Sequence, residues 1–161
     1  MRNTSTSFPN TSIFRKLVFS SMEVGASIAA LSIRRGTVFH SAMFEEIDHG
    51  KFFVVIGEND KELVGFFFIN SWINQFIQRK PEMLKLQFPI SDEDYDFLSH
   101  NSFLNCSSLT TIDKTKLSNS IATGETTIKG QLSDEDVSSI LELVRSSKLF
   151  SKIERESFFA E

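Results

Sequence analysis

The chain has 161 residues, which fits a single domain, and its content of 40% hydrophobic and 24% charged residues is typical of a globular protein. The formal net charge of −4 argues against a general electrostatic grip on nucleic acid, although it leaves room for a local basic groove. The single cysteine, Cys106, excludes an internal disulfide and predicts a buried structural thiol in a reducing compartment.

Phenylalanine dominates the aromatic residues, with seventeen against one tyrosine and one tryptophan. Because a phenylalanine ring has no polar tip to satisfy, these rings are expected in a core or in a contact surface. Their surplus suggests that a second subunit covers some of them.

The first 33 residues are expected to form a flexible or peripheral extension. Residues 1–12 are polar and rich in hydroxyls, which is typical of disorder, and Met22 is a second candidate for the natural start. Glu23 interrupts the apolar residues that follow, and no apolar stretch approaches the roughly 20 residues of a membrane span. We therefore expect a cytoplasmic protein without a membrane partner.

Two β-prone runs around a polar break predict a central hairpin. A short strand over residues 37–40 comes first. Phe52–Ile56 and Leu63–Ile69 are then nearly unbroken runs of aromatic and β-branched residues, separated by turn formers at Glu58–Lys61. Neither run alternates with polar residues, so both faces of each strand are expected to be covered, as in a barrel or an interface.

The second half of the chain predicts further strands around irregular segments. Residues 72–81 form a long connection with room for a helical turn, and the alternation over residues 83–90 predicts a half-buried strand. Residues 94–105 are dense in aromatics and turn formers. Residues 109–112 and 126–131 predict strands, and residues 113–120 suit either a short helix or a loop.

The clearest helix is predicted over residues 134–148. Ser133 is a good N-cap, and the acidic residues 134–136 favour the positive end of the helix dipole. Apolar residues at helical spacing form one stripe, which we expect to pack on the sheet, although spacing alone also allows a partner surface: Val137, Ile140, Leu141 and Val144. The fold class is therefore α+β, mostly β, with a C-terminal amphipathic helix.

Polar side chains collect at one end of the central hairpin. His49 and Lys51 precede its first strand, and Asn70 and Ser71 follow its second. Because a hairpin brings the start of one strand beside the end of the next, these side chains are expected at a shared rim. No metal is expected there, since the histidines are scattered and no Cys/His spacing of a zinc site exists.

Short motifs recur along the chain in a recognisable order. Arg35-Gly36 enters the first strand, His49-Gly50-Lys51 enters the second, Asn70-Ser71 ends the third, and Lys129-Gly130 precedes the capped helix. From about Arg34 to Lys148 this order resembles the MazF/PemK/Kid toxins of bacterial toxin–antitoxin pairs.

This resemblance implies a small SH3-like β-barrel over residues 34–150, with residues 151–161 as a C-terminal tail, and usually a homodimer. It implies a metal-independent, cofactor-free endoribonuclease that cuts single-stranded RNA. A cognate antitoxin would neutralise it by placing a flexible tail in the RNA groove. The family's catalytic arginine and threonine correspond here to Lys51 and Ser71, and a lysine keeps the charge but loses the planar fork that binds phosphate.

The requirements of the reaction assign a role to each residue at the rim. Without a metal, the RNA 2′-hydroxyl attacks the phosphate, so the protein must take up that proton, protonate the 5′-oxygen and stabilise charge on phosphorus. His49 is the natural proton carrier, and Lys51 would stabilise the phosphate. Ser71 or Asn70 would hydrogen-bond a non-bridging oxygen.

Three further residues are expected to bind RNA beside the reacting groups. Arg34 and Arg35 would follow the phosphate backbone, and Trp72 would stack on a base. Plain structural roles remain open for all the rim residues: a solvated loop histidine, an edge charge, turn formers, and a core or dimer anchor for Trp72.

Two broader alternatives also remain open. Asp94, Asp96 and His100 suit an acid–base cluster, which an aromatic-rich turn explains equally well. The whole chain suits a non-catalytic barrel that acts by protein contact, as CcdB-type toxins do, or an inactive toxin homologue.

Overall fold

The computed structural model describes residues 21, 23–44 and 48–161, so the expectations for residues 1–20 and Met22 lie outside the described residues. The described part confirms the α+β class: one antiparallel sheet of seven strands is combined with helices on both of its faces. The expectation of a mostly β chain is corrected, because more of the described residues lie in helices than in strands. None of the helices described is long and apolar enough to cross a membrane.

The strands and helices alternate irregularly along the chain. The strands are β1 (Thr37–Ser41), β2 (Lys51–Glu58), β3 (Leu63–Asn70), β4 (Gln87–Ile90), β5 (Ser102–Asn105), β6 (Thr110–Asp113) and β7 (Thr126–Gln131). The helices are α1 (residues 23–30), α2 (Gln75–Gln78), α3 (Pro81–Leu84), α4 (Lys114–Ala122), α5 (Asp134–Arg145) and α6 (Lys152–Phe158).

The central hairpin of β2 and β3 lies in the middle of the sheet, as predicted. The strand order is β4-β5-β3-β2-β1-β7, and β6 pairs with the first half of β3. The strands β4 and β7 end this order and do not pair with each other in the described part, so the sheet is open. The expected closed SH3-like barrel is therefore corrected to an open sheet, because helices rather than sheet closure bury its two faces.

Two separate cores confirm that both faces of β2 and β3 are covered. One face packs against α5 and α6, through residues that include Val54, Phe67 and Ile140. The other packs against α4 through Leu117, and here the rings of Phe53 and Phe66 lie 4.6 Å apart. The non-alternating apolar runs thus reflect burial on both sides within one chain.

Helix α5 confirms the strongest local prediction. The Ser133 side chain accepts a hydrogen bond from the backbone N–H of Asp136, which caps the helix at the predicted residue. Ile140, Leu141 and Val144 are buried, so the stripe packs into the core as expected. The helix ends at Arg145 instead of residue 148.

Other local predictions need correction. The strand expected over residues 83–90 begins only at Gln87, because Pro81 at the first helical position starts the short helix α3. The sequence patterns do not predict the strand β5 or the helix α6. The helical turn expected between residues 72 and 81 is confirmed as α2.

The predicted C-terminal tail belongs to the core. A capping box at Ser151 begins α6, and Phe158 and Phe159 are buried at its end. The helix rests on two glycines that face each other across β2 and β3, Gly57 and Gly65. A Cβ at Gly57 would lie 2.1 Å from the carbonyl oxygen of Phe158, so the glycine is what lets α6 approach the sheet.

Replacing Gly57 with alanine is expected to lower the free energy of unfolding by about 1–3 kcal/mol, because the new methyl group displaces the backbone at Phe158. Urea denaturation measures the loss. Gly25→Ala is the matched control, since its Cβ would meet only the side chain of Ala122, at 3.7 Å. A Gly57→Ala protein as stable as the control variant would contradict this close packing.

The side chain of Tyr95 links the loop before β5 to the start of α5. Its hydroxyl donates to a carboxylate oxygen of Asp136 and accepts from the backbone N–H of Ser133 at 3.0 Å. Burial, and after it the hydrogen bond to Asp136, raise the pKa of the Tyr95 phenol above its ordinary value of 10.0. The folded state therefore favours the protonated phenol over the phenolate.

Stability is expected to fall as the pH rises past about 10, because the unfolded chain then loses the phenolic proton while the folded chain keeps it. Below that pH this contribution is fully present. Tyr95 is the only tyrosine, so the ultraviolet absorbance of tyrosinate reports its titration alone. In the Tyr95→Phe variant, this part of the loss of stability at alkaline pH should disappear. A phenol that titrates in the folded wild type at its ordinary pKa of 10.0 would refute the expectation.

Cys106 is confirmed as a buried thiol, with an exposed fraction of 0%. Burial raises the pKa of this thiol far above its ordinary value, so the thiolate does not form under normal conditions. It has a structural role.

Candidate functional site

The open end of the β2–β3 pair carries a pocket of about 490 Å³. Its wall includes residues from the loop before β2, the first residues of β2, the end of β3 and the segment that follows. The predicted residues that line it are His49, Lys51, Asn70, Ser71 and Trp72. The structure therefore brings together the three predicted catalytic residues and two of the predicted RNA-binding residues.

Lys51 and Asn70 form one hydrogen-bonded pair in this pocket. Lys51 is the first residue of β2 and Asn70 is the last of the neighbouring strand β3, and the Lys51 Nζ donates to the Asn70 Oδ1 at 2.6 Å. The same ammonium lies 5.4 Å from the centre of the Phe68 ring. Burial lowers the pKa of the Lys51 ammonium, which makes it a stronger acid than a solvated lysine.

Ser71 and His100 form a second pair. The Ser71 Oγ lies 3.3 Å from the His100 Nε2, and the His100 Nδ1 lies 3.1 Å from the carbonyl oxygen of Asn101. The Nδ1 also lies 3.2 Å from the Ser102 Oγ. In the tautomer that carries its proton on Nδ1, this nitrogen donates to the carbonyl oxygen of Asn101. In the neutral ring, the Nε2 then accepts a hydrogen bond from the Ser71 hydroxyl.

His100 is a site residue that the sequence did not place here. It reaches Ser71 because β5 pairs with the end of β3, with Phe103 opposite Asn70. Since β5 was not predicted, no sequence signal pointed to this contact. The contact of His100 with Ser71 does not test the acid–base cluster with Asp94 and Asp96, which stays a prediction.

His40 supports the loop that carries His49. The His40 Nε2 lies 3.2 Å from the carbonyl oxygen of His49, and its ring packs edge-on against Phe52, which lines the pocket. Gly50 lets the loop pass this ring: it has a φ of +70°, and a Cβ there would lie 2.5 Å from the His40 Cε1. His49 thus lines the pocket itself, whereas His40 and His100 each contact a residue that lines it.

The geometry excludes some of the plainer roles. Trp72 is 74% exposed, so it does not anchor the core, and its indole is available at the rim of the pocket. The described ranges contain no group of three or more His, Cys, Asp or Glu residues close enough to hold an ion.

Arg34 and Arg35 are not in this pocket, and their expected place beside the catalytic residues is corrected. Arg35 donates through Nε to the carbonyl oxygen of Ile56 at 2.6 Å and through Nη2 to that of Ala160 at 2.6 Å. Ile56 lies about 16 Å along β2 from Lys51, at the rise of an extended strand. Burial, and after it the charge of Arg145, lower the pKa of the Arg35 guanidinium, which holds the C-terminal segment in place.

Comparison with known proteins adds no assignment to this geometry. A search against protein-family models finds no family that matches the chain, and a search of curated proteins finds no significant match. The function is therefore argued from the pocket, and membership of the toxin family stays a proposal.

Proposed function

We propose that this pocket binds single-stranded RNA and cleaves it without a metal or another cofactor, and that the protein is the toxin of a bacterial toxin–antitoxin pair in the cytoplasm. One observation carries the proposal. A partly buried ammonium, a serine hydroxyl held by an imidazole, and a second imidazole lie around the same open pocket, beside an exposed indole.

Lys51 binds the phosphate. Its ammonium is held by Asn70 at the wall of the pocket, so little side-chain freedom is lost when a phosphate oxygen approaches. Because the site is partly shielded from water, the attraction between the ammonium and the charge that develops on phosphorus is stronger than in bulk solvent.

The imidazoles move the protons. His49, which is exposed at the rim, takes the proton from the 2′-hydroxyl as this oxygen attacks phosphorus. Protonated His100 donates to the Ser71 Oγ, which passes its own proton to the departing 5′-oxygen. The bond from phosphorus to the 5′-oxygen breaks, which leaves a 2′,3′-cyclic phosphate on one fragment and a 5′-hydroxyl on the other.

The partners of this proposal are RNA, a cognate antitoxin and a second copy of the chain. An acidic, flexible antitoxin tail would occupy the pocket around Lys51. Val24 and Ile28 on α1 and Leu31 directly after it offer an apolar contact surface for a homodimer, since all three are more than half exposed.

The test incubates the purified protein with a long unstructured RNA in the presence of EDTA and analyses the new ends. We expect cyclic-phosphate and 5′-hydroxyl ends from the wild type, and a loss of about 10²–10⁴-fold in rate for His49→Ala and for His100→Ala. Lys61→Ala, in the exposed turn at the other end of the hairpin, is the control and should cut at the wild-type rate. RNA that stays intact in every buffer would overturn the nuclease.

A second candidate function is protein contact without catalysis, as in CcdB-type toxins. The exposed fractions of Trp72 and Phe76, 74% and 60%, favour it, because neighbouring exposed rings are typical of protein interfaces. The same assay separates the two candidates, since an interaction module leaves RNA intact.

A further inference from the structure

Exposed side chains continue from the pocket along α2. Asn74 lines the pocket and also caps this helix, its Oδ1 accepting from the backbone N–H of Ile77 at 2.9 Å. Phe76 follows two residues later, so its Cα lies within about 7 Å of that of Asn74. Phe76 is 60% exposed, and the Nζ of Lys80 lies 4.2 Å above the centre of its ring. We call Trp72, Phe76 and Lys80 the α2 ridge.

The core determines which way this ridge faces. Ile77 is only 4% exposed and anchors α2 to the body of the protein. Neighbouring residues of a helix point in different directions, so the burial of Ile77 turns Phe76 outward. The exposure of this ring is therefore a consequence of the packing of Ile77.

The segment that carries the ridge differs in charge from the chain as a whole. The chain has a net charge of −4, yet residues 63–81 contain no Asp or Glu, and their charged residues, Arg79 and Lys80, are both basic; Glu62 and Glu82 flank this segment. A local basic segment on an acidic protein favours a polyanionic ligand over a typical apolar protein partner.

We propose that single-stranded RNA extends from the pocket along the α2 ridge, where its bases stack on Trp72 and Phe76 and its backbone contacts Lys80. This rests on the proposed function and adds a path for the nucleotides next to the cleaved bond. Exposed rings beside cations are the usual platform for single strands, because every base has a face that can stack. Along the chain, three amides lie next to these rings, Asn74, Gln75 and Gln78, and such side chains can hydrogen-bond the edges of bases.

The test uses fluorescent 2′-O-methyl oligonucleotides of two and of eight nucleotides, which lack the attacking hydroxyl and so report binding alone. Anisotropy measures their affinity, and the fluorescence of Trp72, the only tryptophan, reports stacking directly. We expect the wild type to bind the longer strand more tightly. Phe76→Ala and Lys80→Ala should lower the affinity for the longer strand, about tenfold for Phe76→Ala. Both variants should leave the affinity for the shorter strand unchanged.

Matched controls lie on α6, where Ile153 is 75% exposed and the Lys152 side chain is 82% exposed. Ile153→Ala and Lys152→Ala should bind both oligonucleotides as the wild type does. If the wild type and Phe76→Ala bind the longer strand with equal affinity, the proposal that RNA binds along the α2 ridge is overturned, even if RNA is still cut. If Phe76→Ala weakens the binding of the longer oligonucleotide but the wild type does not cleave RNA, the ridge stands and only the nuclease activity is overturned.

A second copy of the chain is the competing occupant. If sedimentation shows a dimer that Phe76→Ala dissociates, and no oligonucleotide binds, the ridge is a contact between subunits and the inference is overturned.

Discussion

Lys51→Met is expected to lower the rate of RNA cleavage by about 10²–10³-fold, the usual cost of removing one group that stabilises charge in the transition state. Lys51 supplies the ammonium in the wall of the pocket, and methionine keeps an apolar stem against Phe68. The rate at which cyclic-phosphate ends appear measures the loss. Lys61→Met, in the turn at the far end of the hairpin, is the matched control.

The fold is expected to tolerate this change. Because burial lowers the pKa of Lys51, the folded protein disfavours the charged form, and stability should rise as the pH climbs towards the unfolded value of about 10.5. Below the folded pKa that penalty is fully present, and it is absent in the methionine variant. A Lys51→Met protein that unfolds more easily at neutral pH, or cuts RNA at the wild-type rate, would contradict the assigned role.

Phe66→Ala is expected to lower the free energy of unfolding by about 3–5 kcal/mol, the usual cost of emptying the site of a fully buried ring. Phe66 has an exposed fraction of 0%, and its ring lies 4.6 Å from that of Phe53 and 5.3 Å from that of Phe68. Denaturant titration followed by circular dichroism measures the change.

Phe76→Ala is the matched control for this prediction, since it removes the same ring from the surface. It should change the stability by less than about 0.5 kcal/mol, which also qualifies it for the binding experiment. Similar losses in the two variants would contradict the two-sided core.

The local elements of this protein follow from short-range chemistry. The runs at β2 and β3 are so rich in aromatic and β-branched residues that a hairpin is the favoured outcome, and the turn formers between them set its end. Helix α5 follows from its N-cap and its apolar stripe. The rim of His49, Lys51, Asn70 and Ser71 follows from the hairpin, because neighbouring strands bring their ends together whatever the rest of the chain does.

Long-range pairing decided what these patterns left open. His100 contacts Ser71 only because β5 pairs with the end of β3, and the residues around His100 in the sequence do not predict this contact. Arg35 looked like a ligand for RNA, but its acceptors are backbone carbonyls, one of them 123 residues further along the chain. Every residue has a carbonyl, so such partners leave no trace in a sequence.

By itself, then, the sequence determined the α+β class, the buried hairpin and the group of polar residues at its end, because each depends on neighbours along the chain. Only the tertiary structure decided that the sheet stays open and that the last helix packs into the core. Whether a sheet closes depends on what covers its faces, and α6 reaches β2 only because Gly57 leaves room for the backbone at Phe158.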